Sequence, residues 1–156
     1  IIAADEGCYI DIYFEEKQIN GISARTKNAN EQDANTARIA PLWAQFYASF
    51  AEKVTEGIPV YAVYHAYEYD FNGEYTLTLG FANDVKDAKT GISIQAGRYL
   101  RFRLEGEMPA EVINGWITVW SYFSSPDCSY VRRYFTDFEI YHSAQQVDIY
   151  IAIQDT

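Results

Sequence analysis

Glu139 is the residue whose type and setting in this chain could do chemistry. It lies in Tyr134-Phe135-Thr136-Asp137-Phe138-Glu139-Ile140-Tyr141, which reads as a strand with alternate side chains on opposite faces. Phe138 and Ile140 point one way, and Phe135, Asp137, Glu139 and Tyr141 the other. A carboxylate between aromatics in mid-strand is either a surface residue of a half-exposed strand or a charge lining an aromatic cavity. Glu is rarely buried unless paired, so by itself the surface reading leads. Buried, it would serve as counter-charge to a cation or as a general base.

Other reactive groupings are absent from the sequence. There is no Ser–His–Asp or Cys–His arrangement and no metal-ligand set, so neither a cofactor nor a metal is expected. Cys8 and Cys128 lack CxxC spacing; two free thiols in a reducing, cytoplasmic compartment fit better than a disulfide. His65 and His142 stand far apart without ligand companions and read as structural or exposed.

Composition turns attention back to Glu139. The chain holds 14 Tyr, 9 Phe and 3 Trp, enough to build large walls that are apolar along the ring and wet at one end. Its net charge of −10 argues against a phosphate-binding surface, so no direct nucleic-acid partner is expected. The basic clusters Arg98-Tyr99-Leu100-Arg101-Phe102-Arg103 and Arg132-Arg133 read as exposed edges or solvated faces. An acidic, aromatic-rich protein favours cationic, partly apolar partners through Coulomb attraction and cation–π contact. No apolar run approaches a membrane span, and no membrane partner is expected.

The elements that must position Glu139 follow in order. After a lead-in over residues 1–7 come a strand at Tyr9–Phe14 and a second at Gln18–Thr26 with an interior Gly21, which marks a bulge or a close backbone approach. Lys27–Asn35 is polar and reads as a loop. A helix then runs from Thr36–Arg38 to Glu52–Val54, with Ile39, Leu42, Trp43, Phe46, Tyr47 and Phe50 as one wide apolar stripe and Pro41 in its first turn. Val60–Tyr67 and Glu74–Phe81 form a hairpin around Asn72-Gly73. Asn83–Thr90 is a solvated connector. Ile92–Leu104 reads as one strand with an internal Gly97. A helix opening at Gly106–Pro109 carries Val112, Ile113, Trp116, Val119, Trp120 and Phe123, and the Glu139 strand and a last strand at Val147–Ile153 close the chain.

Strand–helix–strand–strand therefore occurs twice, offset by roughly 75 residues, as two copies of one supersecondary unit. The expected fold is α+β: a single domain over 1–156, with repeats at about 8–82 and 91–154 related by a pseudo-two-fold axis. Both helices would lie on one face of a pooled antiparallel sheet, with a ligand cleft between the halves.

These residues resemble the AraC-type effector-binding domain, also called the GyrI-like small-molecule-binding domain. The resemblance covers nearly the whole chain. It is carried by Ile39-Ala40-Pro41-Leu42-Trp43, Tyr75-Thr76-Leu77-Thr78-Leu79-Gly80, Gln95-Ala96-Gly97-Arg98-Tyr99, Trp116-Ile117-Thr118-Val119-Trp120 and Asp137-Phe138-Glu139-Ile140-Tyr141. The chain also looks like the free-standing members borne on bacterial integron gene cassettes. The resemblance implies a cavity for lipophilic, often cationic compounds, with a buried glutamate at the position of Glu139. Many such domains are joined to a helix-turn-helix or MerR-type segment. The two repeats are expected to use these 156 residues, with no basic recognition helix among them, so a direct transcription-factor role is not expected unless a DNA-binding segment lies outside this stretch.

The expected ligand-binding residues are Glu139, Trp43, Phe46, Tyr47, Tyr64, Tyr75, Tyr99, Trp116, Trp120 and Tyr141, with Phe50 a further wall candidate. Asp137 shares the strand face of Glu139 and falls outside these walls. The first functional expectation is a non-enzymatic binder of lipophilic cations. The second is a hydrolase with Glu139 as general base and Tyr64, Tyr99 or Tyr141 as donor. The third is a protein-interaction module resembling the gyrase-inhibiting relatives. A homodimer or a regulatory protein partner is left open.

Overall fold

The computed structural model describes residues 9–82 and 88–154. The expected lead-in, Cys8 and residues 83–87 of the connector lie outside them. The strands are β1 (Tyr9–Phe14), β2 (Lys17–Thr26), β3 (Val60–His65), β4 (Tyr75–Phe81), β5 (Thr90–Ile94), β6 (Gly97–Glu105), β7 (Thr136–Ser143) and β8 (Gln146–Ala152). The helices are α1 (Asn28–Glu31), α2 (Ile39–Thr55) and α3 (Ala110–Ser124). All eight strands form one antiparallel sheet in the order β1-β6-β8-β7-β3-β4-β2-β5. The units β2-α2-β3-β4 and β6-α3-β7-β8 fill mirrored places in that order, meeting where β3 pairs with β7. This is the duplicated α+β architecture expected from the sequence.

Three apolar clusters hold it together. Leu42, Phe46 and Phe50 of α2 pack on Ile22, Val60, Ala62, Leu77, Leu79 and Phe81. Val119 of α3 packs on Leu100, Phe102, Ile149, Ile151 and Ile153. On the face away from the helices, Tyr61, Val63, Tyr99, Phe138, Ile140 and Tyr150 meet Ile19 and Ile94. Fully burying a side chain such as Phe46 stabilises the fold by about 1.5–3 kcal/mol.

Several elements differ from expectation. Ile92–Leu104 is two strands, broken at Gln95-Ala96: β5 pairs with β2, while β6 pairs with β1 and β8. Ile94 and Tyr99 both join the cluster on the non-helical face, so burial turns the chain sharply there. The Lys27–Asn35 loop contains α1. The hairpin turn at Asn72-Gly73 is the tip of a longer loop, 66–74, which leaves the sheet at Ala66 with a φ of 53°. Gly21 faces Gly80 across the β2–β4 ladder, and a Cβ on Gly21 would sit 1.8 Å from the Leu79 carbonyl oxygen. Close approach, not a bulge, therefore explains the glycine. Among the described residues no helix is long and apolar enough to cross a membrane.

Candidate functional site

Each long helix carries two apolar stripes. In α2, Leu42, Phe46 and Phe50 face the sheet, while Ile39, Ala40, Trp43 and Tyr47 face the other helix across a cleft. In α3, Val119 faces the sheet, and Val112, Ile113, Trp116, Ile117 and Trp120 face the cleft. The floor is β3 and β7, whose helix-side residues include Tyr64 and Glu139. The cleft is a cavity of about 830 Å³. Glu31 fixes the start of α2 beside it: its carboxylate accepts the backbone N–H groups of Arg38 (2.9 Å) and Ile39 (3.1 Å) and the Thr26 hydroxyl (2.5 Å).

Glu139 is 3% exposed. Its Oε1 accepts the Tyr141 hydroxyl at 2.7 Å, and its Oε2 accepts the indole N–H of Trp116 at 2.5 Å and the Tyr64 hydroxyl at 3.2 Å. Burial pushes its pKa up, and the three hydrogen bonds pull the other way without cancelling that shift. The same burial, together with the Glu139 charge, drives the Tyr64 and Tyr141 hydroxyls well above their ordinary range, so they stay protonated donors. Burial raises the Tyr75 hydroxyl as well, and the nearby Glu31 charge adds to the rise at both Tyr64 and Tyr75.

Rings surround the carboxylate. Trp43 stacks on Tyr47 at 5.6 Å and meets Tyr141 edge-on at 5.3 Å. Tyr64 meets Trp116 edge-on at 5.4 Å, and Trp116 leans on Trp120 at 6.2 Å. Tyr75 closes the corner against Tyr64 and Tyr67. The mouth is apolar and open: Tyr47, Phe71, Ile113, Ile117 and Trp120 line the cavity and are exposed.

Eight of the expected residues line this cavity: Glu139, Trp43, Tyr47, Tyr64, Tyr75, Trp116, Trp120 and Tyr141. Phe46 and Phe50 do not; they are buried under α2 in the sheet-facing core. Tyr99 lies on the opposite face of the sheet, its hydroxyl bonded to the Gln95 carbonyl and to Thr136. The sequence also mislocated Arg132, which is a cavity-wall residue, buried and ion-paired at 2.7 Å with the fully buried Asp137. Asp137 further accepts the Tyr67 hydroxyl at 2.6 Å and the Ala152 N–H at 2.8 Å. Tyr67 and Phe71 of loop 66–74, and Met108 and Pro109 ahead of α3, complete walls that periodicity alone would not show.

Comparison with known proteins agrees with this geometry. A sequence model of integron-associated effector binding proteins matches residues 12–153. The integron cassette protein VCH_CASS2 from the mobile metagenome of Vibrio cholerae superposes with a TM-score of 0.84 at 34% identity, over 94% of this chain and 96% of that one. YobU of Bacillus subtilis (strain 168), which carries the name "putative transcriptional regulator protein", is 28% identical over 91% of this chain and 95% of its own length. SAV2435, in a structure with bound tetraphenylphosphonium, shares the fold with a TM-score of 0.70 at 14% identity, over 94% of this chain and 93% of that one. With a matching family model over nearly its whole length and the same fold as the cassette protein, this chain belongs to the family of integron-associated effector binding proteins.

Proposed function

We propose that the protein captures lipophilic cations in the cavity between α2 and α3, with Glu139 as their counter-charge. One observation carries this reading: Glu139 is buried in an aromatic cavity wall, and among the described residues only neutral donors bond to it. Three hydrogen bonds steady the anion but leave its charge uncompensated, a costly arrangement that a cationic ligand relieves. Each ring face presented to a desolvated cation adds about 0.5–2 kcal/mol. Selection then falls on charge and apolar bulk, giving broad specificity. Tetraphenylphosphonium, bound in the SAV2435 structure, is a compound of this class.

The test compares N-methylquinolinium with its neutral isostere 1-methylnaphthalene by calorimetry, in wild type and Glu139→Gln. The cation binds wild type on the order of tenfold or more tighter than the variant, the effect of taking a charged partner away from a cation in an apolar site. The hydrocarbon binds both alike. Cation affinity also weakens as pH falls through the raised pKa of Glu139, because protonation removes the counter-charge, and this slope is absent in Glu139→Gln. Equal binding of both compounds, or a variant indistinguishable from wild type, would make Glu139 a structural residue.

A further inference from the structure

Glu139 acts on the cavity from behind its own donors. It belongs to the wall yet is only 3% exposed. A carboxylate has about four lone-pair sites on its two oxygens. Oε2 accepts two donors, the Trp116 indole N–H at 2.5 Å and the Tyr64 hydroxyl at 3.2 Å. Oε1 accepts the Tyr141 hydroxyl at 2.7 Å. All three donors are themselves cavity-wall residues, and they come from α3, β3 and β7, so both halves of the molecule enclose the acid. Burial and the Glu139 charge keep the two tyrosines protonated, and an indole nitrogen can only donate. The screen of donors is therefore permanent.

Such a screen separates two kinds of cation. A hydrogen bond needs a free lone pair within about 3 Å. Coulomb attraction falls only as the inverse of distance and is strong in an apolar site. A quaternary ammonium or phosphonium holds any anion off with its own carbon substituents. Rings between it and Glu139 cost it little and add cation–π contact. A protonated amine, amidine or guanidine instead gives up water from its N–H groups and must replace it. Here it meets a carboxylate whose lone pairs are largely spent, and it reaches them by displacing Trp116, Tyr64 or Tyr141. Each N–H left without an acceptor is costly.

We propose that the cavity selects cations with no N–H at the charged centre over protonated nitrogen bases, because Trp116, Tyr64 and Tyr141 occupy the Glu139 lone pairs while its charge still acts through them. This rests on the cation-binding reading above and names the ligand class within it. Trp116 is the residue on which the selection turns. Its bond to Glu139 is the shortest of the three, and it alone comes from a helix rather than from the sheet beneath the cavity.

The probes are 1-naphthylmethyltrimethylammonium and 1-naphthylmethylammonium, both monocations at pH 7, titrated by calorimetry into the full chain and into Trp116→Phe. Three methyl groups favour the quaternary ion by apolar burial in either protein. The quantity that decides is therefore the ratio of the two affinities in wild type against the same ratio in the variant. Phenylalanine keeps a ring, removes the N–H and frees a lone pair of Oε2. The preference for the quaternary ion is expected to fall about tenfold in Trp116→Phe, the range for one hydrogen bond to a charged group. The Trp116 indole N–H resonance in wild type, assigned with Trp43→Phe and Trp120→Phe, gives a readout that does not depend on Trp116→Phe folding. It is expected to keep the downfield position of a hydrogen-bonded indole when the quaternary ion saturates the site. Equal affinities in wild type, a preference undiminished in Trp116→Phe, or an indole resonance released by the quaternary ion would overturn the inference and leave cation binding standing. Failure of both ions to bind wild type would overturn the two readings together.

Discussion

Glu139 is the group whose protonation the fold disturbs most consequentially. Its native pKa lies above the ordinary carboxylate value because burial outweighs its three donors. The native state therefore holds a proton that the unfolded chain has already released, and stability falls as pH rises from the ordinary carboxylate value through the native pKa. Below that window the cost is absent. Glu139→Gln is accordingly expected to resist denaturant better than wild type at pH 8, with the gap closing toward pH 4; a gap constant with pH would contradict the assignment. His65 contributes in the opposite sense. Burial and the nearby Arg25 push it down to about 4 from its ordinary 6.5, so both chains lose stability as pH falls between those values and the effect cancels in the comparison. Glu139 was visible in the sequence as an acid misplaced among rings. Arg132 was not, because a neighbouring arginine in a polar segment looks solvated until Asp137 is brought against it from β7.

The two helices show how far periodicity reaches. A wide apolar stripe was legible in each, and so was the helix that carries it. The stripe in α2 is in fact two, with Phe46 on the sheet and Trp43 and Tyr47 on the cleft. Residues three and four apart share one broad face, and only the position of the sheet divides it. The positioning of α2 also depends on Glu31, at the end of α1, whose carboxylate replaces the missing side-chain cap at Arg38. Glu31→Ala removes that cap and a negative charge from the helix N-terminus, and is expected to cost about 1 kcal/mol in denaturant unfolding. Because Glu31 also adds negative potential at Tyr64 and Tyr75, the same variant should bind the cation more weakly and the hydrocarbon unchanged.

Across the whole molecule, the outer strands tie the halves together. β1 precedes β2 in the chain but pairs with β6 of the second unit, and β5 precedes β6 but pairs with β2 of the first. Ile12 and Phe14 of β1 and Ile92 and Ile94 of β5 then pack into the cluster that spans both units. Neither half has a complete sheet or a closed core without the other, so unfolding should be a single transition. Trp43 reports on α2, and Trp116 and Trp120 report on α3. Denaturant curves from variants that keep only one set, Trp116→Phe/Trp120→Phe and Trp43→Phe, are expected to coincide with the circular dichroism curve of the same variant. Separate transitions for the two reporters would show that the units unfold independently.

Local pattern alone determined the two long helices, most of the strands and the doubling of strand–helix–strand–strand, from which a cleft between the halves was expected, because these depend on side-chain periodicity within short windows. It also marked Glu139, since an acid among aromatics is anomalous without reference to any partner. Tertiary structure decided what local pattern cannot hold. It assigned each ring to cleft or core, sending Tyr99 to the far face and Phe46 beneath α2. It broke the strand at Gln95-Ala96 so that β5 edges the sheet beside β2 while β6 lies between β1 and β8. It set loop 66–74 with Tyr67 at the cavity, and it joined Arg132 to Asp137. The reason is common to all four: each depends on which distant residues exclude water from a given side chain, and that is fixed only when the sheet closes.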